Sequence, residues 1–224
     1  MAEIPSQLLA RLDADDAAAC LRSIDAIGEE LAAVYTANVE DHREARGDNA
    51  VLFGMKVWAH GDFRIADRLE DDERAKVVHS NGSYSVRIGP LAIGVYKLGD
   101  TDDEDIHECF PDASPTKRAY AERNRAQLTI FDLEPNSPLP PTARYALDDL
   151  LIGHFGNPRE GLVRWYVGAP MTDEHGVRRW AWISRQPLPA VAAVSDPARP
   201  AMASFDAREP EPLVVRPRSR QQAS

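Results

Sequence analysis

The chain has 224 residues and a formal net charge of −10 at pH 7, because 36 acidic residues outnumber 26 basic ones. This charge argues against non-specific binding to nucleic acids and to anionic membranes, since the long-range field repels polyanions. The sequence shows no signal-peptide pattern, no apolar run of transmembrane length and no cysteine spacing typical of disulfides or zinc sites, which predicts a cytoplasmic protein.

Residues 1–48 are predicted to form a helical region. Apolar residues recur at helical spacing over 4–12, and a longer helix is predicted from about Asp15 towards Arg43. Spacings of four and three alternate along the longer helix, and this seam suits packing against a neighbouring helix or sheet. It also suits a homodimer, formed through Ile24, Ile27, Leu31 and Val34. Packing within the chain is the simpler interpretation.

Residues 50–186 are predicted to form an α+β domain that starts with a buried helix. The segment 50–69 holds a dense apolar cluster that includes Phe53 and Trp58, and an interruption of the helix is predicted near Gly61.

The β-rich part of this domain begins near Lys76 and contains a first hairpin. Apolar and polar residues alternate over 83–88, and a second apolar run over 91–98 follows the short turn Gly89-Pro90. The segments after this hairpin are predicted, in chain order, as an acidic loop over 99–105, a helix over 115–127, a strand over 128–133 and a helix over 142–155.

A second hairpin, with strands over 161–168 and 177–184, holds three of the four tryptophans. Strand alternation places Trp180 and Trp182 side by side on one face. If exposed, the two indoles would stack nucleobases or anchor a protein partner. Burial of at least one indole is the simpler interpretation. The candidate binding residues of this hairpin are Arg164, Trp165, Arg178, Trp180 and Trp182.

The helix predicted over 115–127 provides a second candidate binding surface. Its basic residues Lys117 and Arg118 lie close to Tyr120, and such a group would bind a phosphate or an acidic partner. A solvated helix face accounts for the same pattern and is the simpler interpretation.

The sequence carries no recognised catalytic signature. It contains no paired-histidine zinc motif, no glycine-rich nucleotide loop and no G-x-S-x-G nucleophile turn, and neither a metal nor a cofactor is predicted. If the protein is an enzyme, Asp132 and Glu134 are the candidate carboxylates, because their spacing at the end of the predicted strand suits Mg²⁺. No lysine accompanies them, as a metal-dependent nuclease of this kind would require.

Residues 187–224 are rich in proline and are predicted to form a disordered tail. The expected fold is therefore α+β, with a helical N-terminal part packed against an antiparallel sheet of two hairpins and one further strand.

These features predict a non-catalytic interaction or regulatory protein. Rare lysine beside frequent arginine and alanine is typical of GC-rich bacterial genomes, and the acidity suits a protein partner with a basic surface. The neutralising member of a toxin–antitoxin or phage-defence pair fits this description. Two alternatives stay open: a metal-dependent nuclease or another enzyme acting on nucleic acid or nucleotides, and a single-stranded nucleic-acid binder that uses the Trp/Arg hairpin.

Overall fold

The computed structural model describes residues 4, 9, 12–80, 83–107, 115–124, 149–172 and 175–189. The α-helices in these ranges are α1 (Ala14–Asp41), α2 (Ala50–Leu69) and α3 (Pro115–Arg123). The strands are β1 (Ala75–Ser80), β2 (Ser83–Ile88), β3 (Leu91–Gly99), β4 (Asp149–Asn157), β5 (Gly161–Thr172) and β6 (Arg178–Gln186). The predicted α+β class is confirmed. The strand predicted over 128–133 and the tail beyond residue 189 lie outside the described residues.

Helix α1 begins at a capped N-terminus and covers one face of the sheet. The Asp13 carboxylate accepts a hydrogen bond from the Asp16 N–H at 2.7 Å, which satisfies a free donor of the first turn. The four side chains considered for a dimer seam are at most 1% exposed, and they are Ile24, Ile27, Leu31 and Val34. They pack against the sheet and α2 of the same chain, so a second copy could not reach them without opening the fold.

Helix α2 is continuous, and the interruption predicted near Gly61 is wrong. One glycine inside a helix costs only about 1 kcal/mol. Gly61 also faces the sheet, where an added Cβ would lie 3.3 Å from Tyr84 Oη. The prediction of a buried helix holds for one side only, the side that carries Phe53, Val57, Gly61, Ile65 and Leu69.

The six strands form one sheet in the order β1-β2-β3-β4-β5-β6. Both predicted hairpins are present, as β2–β3 and β5–β6, and the Gly89 turn has a positive φ of 53°. The sheet is not wholly antiparallel as predicted, because β3 and β4 run parallel, with Ala92 opposite Asp149.

The helix predicted over 142–155 is wrong for the residues from 149 onwards, which form strand β4. This strand lies between β3 and β5, and nearly all of its residues are buried. A strand covered on both faces shows a continuous apolar run instead of alternation, and such a run resembles a buried helix in sequence. Gly153 permits the close packing here, since a Cβ at this position would collide with Leu98.

The sheet carries a core on each face. The larger core lies between the sheet and helices α1 and α2, and it includes Ile93, Ile152 and Val167. A smaller core on the opposite face joins α3 to the sheet through Tyr120 and Leu151. None of the helices in the described part of the chain is long and apolar enough to cross a membrane.

Candidate functional site

The two tryptophans of β6, Trp180 and Trp182, do not lie on the same face of the sheet. The pairing of β5 with β6 shifts between Ala169, which lies opposite Trp182, and Pro170, which lies opposite Trp180. Because of this bulge, Trp182 packs on the face covered by α1, whereas Trp180 packs on the face covered by α3. The prediction that the two indoles lie side by side is therefore wrong.

The indole N–H groups hold loops against the sheet. Trp165 is only 3% exposed, and its Nε1 donates to the Pro187 carbonyl at 3.0 Å. The Nε1 of Trp180 donates to the Ile106 carbonyl at 3.3 Å. These contacts account for the tryptophans as structural residues, and their role in binding stays a prediction.

The two candidate arginines of the hairpin are engaged within the chain. The Arg164 guanidinium lies 4.0 Å from the centre of the Phe155 ring and donates to the Glu104 carbonyl. Arg178 lies 3.8 Å from the carboxylate of Glu122 on α3. Removing either arginine from these contacts would leave a carbonyl or a carboxylate without its cationic partner.

Helix α3 does not present its three predicted binding residues together. Tyr120 is buried against the sheet, and its ring meets the edge of Tyr96 with 6.1 Å between ring centres. Arg118 is exposed, and the side chain of Lys117 lies outside the described residues. The nuclease candidates Asp132 and Glu134 also lie outside them.

The acidic loop after β3 is ordered by its own hydrogen bonds. The Glu104 carboxylate accepts from the N–H groups of Asp100 and Thr101 at 2.6 and 2.9 Å. A hydrogen bond from the Thr101 hydroxyl holds the pKa of Asp103 below its ordinary value. No group of three or more metal-binding side chains is found among residues that the structure describes.

Two buried groups that resemble nucleophiles are kept neutral. Burial raises the pKa of the Cys20 thiol to about 12, and burial also raises the pKa of Tyr35. The Tyr35 hydroxyl instead shares a hydrogen bond of 2.9 Å with Nδ1 of the buried His154. Because a thiolate or phenolate is the reactive form, the raised pKa values disfavour a nucleophilic role, and both side chains pack in the hydrophobic cores.

The outer side of α2 carries an apolar surface, although the sequence predicts a buried helix here. Side chains of this size and exposure present roughly 500 Å² of apolar area, which is near the upper limit for a typical monomer. We refer to this surface as the α2 stripe; it consists of Val51 (72% exposed), Leu52 (37%), Met55 (62%), Trp58 (48%) and Phe63 (72%).

A groove of about 550 Å³ continues the α2 stripe towards the edge of the sheet. Its helical wall contains Phe63, Ala66 and Leu69, and its opposite wall contains Ala75 and Val77 of β1. We refer to it as the α2–β1 groove. It lies where α2 turns into β1, so both walls are held by the fold.

The charges around α2 are distributed unevenly. The basic side chains of α2 are drawn to carboxylates elsewhere in the chain, in the pairs Lys56–Asp48 (3.2 Å), Arg64–Glu30 (2.6 Å) and Arg68–Glu29 (3.9 Å). By contrast, Asp67 and Glu70 line the groove, and neither forms an ion pair within the described part of the chain. Lys76 is the basic residue of the groove lining. The surface therefore offers apolar area next to accessible negative charge.

One sequence signal could have revealed the α2 stripe. A helix that is apolar around its whole circumference is either fully enclosed or carries a second apolar face for another surface. The segment 50–69 has this composition, and the expectation of a buried helix corresponds to the first possibility only.

No protein-family model, curated protein sequence or solved structure matches this chain.

Proposed function

We propose that this chain is a non-catalytic, protein-binding regulatory protein whose docking surface is the α2 stripe. The observation that supports the proposal is the exposure of five large apolar side chains along one side of α2, beyond what the core requires. Contiguous apolar patches of this size mark interaction surfaces in monomeric proteins, because leaving them in water forgoes about 25 cal/mol for each Å².

The charge around the stripe favours a basic partner. The whole chain carries −10, and the open carboxylates Asp67 and Glu70 stand at the groove while the α2 basic residues are paired. A partner with lysine or arginine beside an apolar anchor would gain attraction at long range and an ion pair on contact. Two copies of this chain would instead bring like charges together, which favours a different protein as the occupant.

Rare lysine beside frequent arginine favours a bacterial source, and an acidic surface suits the neutralisation of a basic protein. We therefore extend the proposal to the neutralising member of a toxin–antitoxin or phage-defence pair. In that setting the α2 stripe would cover an apolar and basic region of the toxic protein, and no catalysis by this chain would be needed.

The central test removes the apolar anchors without touching the core. Trp58→Glu and Met55→Glu are expected to lower affinity for the partner by at least about 30-fold, since central aromatic anchors contribute about 2 kcal/mol or more. The partner is isolated from the native host as a stoichiometric complex, and binding to each variant is then measured by calorimetry at two salt concentrations.

The matched control is His60→Glu, which adds the same charge to an exposed position of α2 outside the stripe. The affinity of this variant should stay within about threefold of that of the unaltered chain. For all three variants, the free energy of unfolding should differ from that of the unaltered chain by less than about 0.5 kcal/mol, because the positions are surface sites. A partner that binds both stripe variants normally would refute the proposal. Loss of a self-association equilibrium in the stripe variants would identify a second copy as the occupant and would also refute it.

A further inference from the structure

The geometry points to the form in which the partner binds: an extended segment of the partner adds a strand to β1 and places alternate side chains in the α2–β1 groove. This inference rests on the proposed function, because it specifies the partner segment at that surface. Strand addition needs an open sheet edge, a groove beside the edge and a reason for selectivity. The described residues supply each of these.

Strand β1 lies at the end of the sheet and has β2 as its strand neighbour. In an antiparallel pair, every second residue directs its N–H and C=O away from the partner strand. The Ala75 N–H donates to the Asp72 carbonyl at 3.0 Å, outside the strand pair, so Ala75 belongs to the outward set. Val77 and His79 follow Ala75 at alternate positions of β1 and therefore belong to the same set. Their backbone groups are therefore directed to where a further strand would pair.

The two edges of the sheet differ in how they are protected. Strand β6 carries Arg178, Arg179 and Arg185 and is itself bulged at Ala181, and Pro187 follows it. Charges, bulges and prolines are the usual means by which proteins prevent edge pairing. Strand β1 has one lysine, no proline and an unshifted pairing with β2, and it carries the adjacent valines Val77 and Val78. Of the two edges of the sheet that the described strands form, the β1 edge is the one suited to receive a strand.

The groove beside β1 has fixed walls. The His79 Nε2 lies 2.8 Å from an Asp62 carboxylate oxygen, which ties β1 to α2 along the groove, and the turn over 70–74 joins them at its end. An added strand would direct every second side chain towards α2, where Phe63 and Ala66 form the wall. Little rearrangement would be needed on binding, which lowers its entropic cost.

The groove lining also selects for charge. Asp67 and Glu70 stand on the α2 side, opposite the path of the added strand. The lining holds these two carboxylates and one lysine, Lys76, so its net charge is negative. A lysine or arginine in the segment would therefore be favoured over an acidic residue. The segment that fits is therefore extended, apolar at alternate positions and basic at one of the remaining positions.

The test uses a displayed library of random octapeptides, selected on the full-length chain. Peptides enriched by the selection are synthesised, and their binding is measured by fluorescence anisotropy. We expect the enriched peptides to carry apolar residues at alternate positions together with a lysine or arginine. We also expect at least tenfold weaker binding when alternate amides of these peptides are N-methylated. N-methylation removes the donors needed for strand pairing, and it leaves the protein unaltered.

A pair of protein variants separates the backbone from the side chain. Val77→Pro removes an outward N–H that the added strand would use, so it should weaken the binding of the same peptides at least tenfold. The variant should still fold, because an edge strand tolerates proline on its open side. Val77→Ala also shortens this side chain of the groove wall but keeps that N–H. The peptides should therefore bind Val77→Ala at least threefold more tightly than Val77→Pro, and the difference reports the backbone donor alone. If Val77→Pro does not fold, the N-methylated peptides still decide the question.

Three outcomes would overturn the inference. One is enrichment of peptides with helical spacing that bind Val77→Pro normally but lose binding to Trp58→Glu; the proposed function would then survive with a helical partner segment. Another is a host partner that binds Val77→Pro as well as the unaltered chain. The third is self-association lost in Val77→Pro, which would assign the edge to a second copy.

Discussion

Gly28 and Trp165 make one of the tightest contacts in the larger core. Gly28 lies in α1, and an added Cβ would stand 2.5 Å from Cζ2 of the Trp165 indole. The indole is also held by its bond to Pro187, so it cannot move aside freely. Glycine at this position permits α1 to pack directly on the indole of Trp165 in β5.

We expect Gly28→Ala to lower the free energy of unfolding by about 1–3 kcal/mol, because overpacking outweighs the better helix propensity of alanine. The matched control is Gly54→Ala in α2, where an added Cβ meets nothing within 4 Å. That change should raise the free energy of unfolding by about 0.5–1 kcal/mol. Urea unfolding of both variants measures the difference. Equal stabilisation by both would show that the Gly28 contact is loose.

Individual side chains could be placed from the sequence where alternation is regular. Alternation put Trp165 and Val167 on one face of the hairpin, and both are buried against α1. It failed for Trp180 and Trp182, because a bulge shifts the register between them. Pro170 has no N–H to give to the ladder, and this is a local cause of bulges that a strict period of two does not include.

Among the elements, α3 is followed by a buried asparagine, Asn124, which joins it to β4 and β5 at the place where these strands stop pairing. Asn124 Nδ2 donates to the carbonyls of Asp149 and Pro170, both at 2.8 Å, and its Oδ1 accepts from the Asp149 N–H at 3.0 Å. Because Pro170 cannot donate to Asp149, the side-chain amide takes the place of the missing ladder bond.

We expect Asn124→Asp to lower the free energy of unfolding by about 2–3 kcal/mol. The carboxylate keeps the shape of the amide but loses both donors and places negative charge beside two buried carbonyl oxygens. Arg118→Ala, at an exposed position of the same helix, should change it by less than about 0.5 kcal/mol. Thermal unfolding compares the two, and amide exchange at Asp149 reports the local bond. Normal stability of Asn124→Asp would mean that the network contributes little.

Elements with a clear period were predicted correctly, and elements that are buried or apolar all round were not. The regular apolar spacing along residues 15–43 predicts α1, and the alternation on either side of a turn predicts β2, β3 and the tryptophan hairpin. The sequence of β4 predicts a helix, because both faces of this strand are covered and its apolar residues do not alternate with polar ones. The sequence of α2 predicts an enclosed helix, because its outer side is apolar as well, and composition alone does not distinguish this from a helix with an exposed docking surface.

At the scale of the whole molecule, the packed chain extends past the predicted domain boundary at residue 186. The Pro187 carbonyl accepts from Trp165, and Leu188 and Pro189 line two surface pockets along α1, one with Asp25 and Glu29 and the other with Ala32 and Thr36. These three residues therefore belong with the sheet and α1.

We expect truncation after Gln186 to lower the free energy of unfolding by about 1–2 kcal/mol, since the buried indole N–H would lose its acceptor and apolar cover. Truncation after Pro189 retains these contacts and serves as the matched control. Urea unfolding of the two shortened chains and the full chain measures the effect. Equal stability of both shortened chains would contradict the structural role of residues 187–189.

The parallel pairing of β3 with β4 divides the sheet into two parts that differ in how they assemble. Strands β1–β3 and β4–β6 each form through short connections, whereas β3 meets β4 only after a long connection closes. Closing that loop costs entropy before the contacts are gained, so non-local pairing is slow. During folding, β3 and β4 therefore expose edges that the finished sheet hides. Until they meet, the six described strands have four open edges instead of two, and we expect pairing with the wrong strand to be most frequent in that interval.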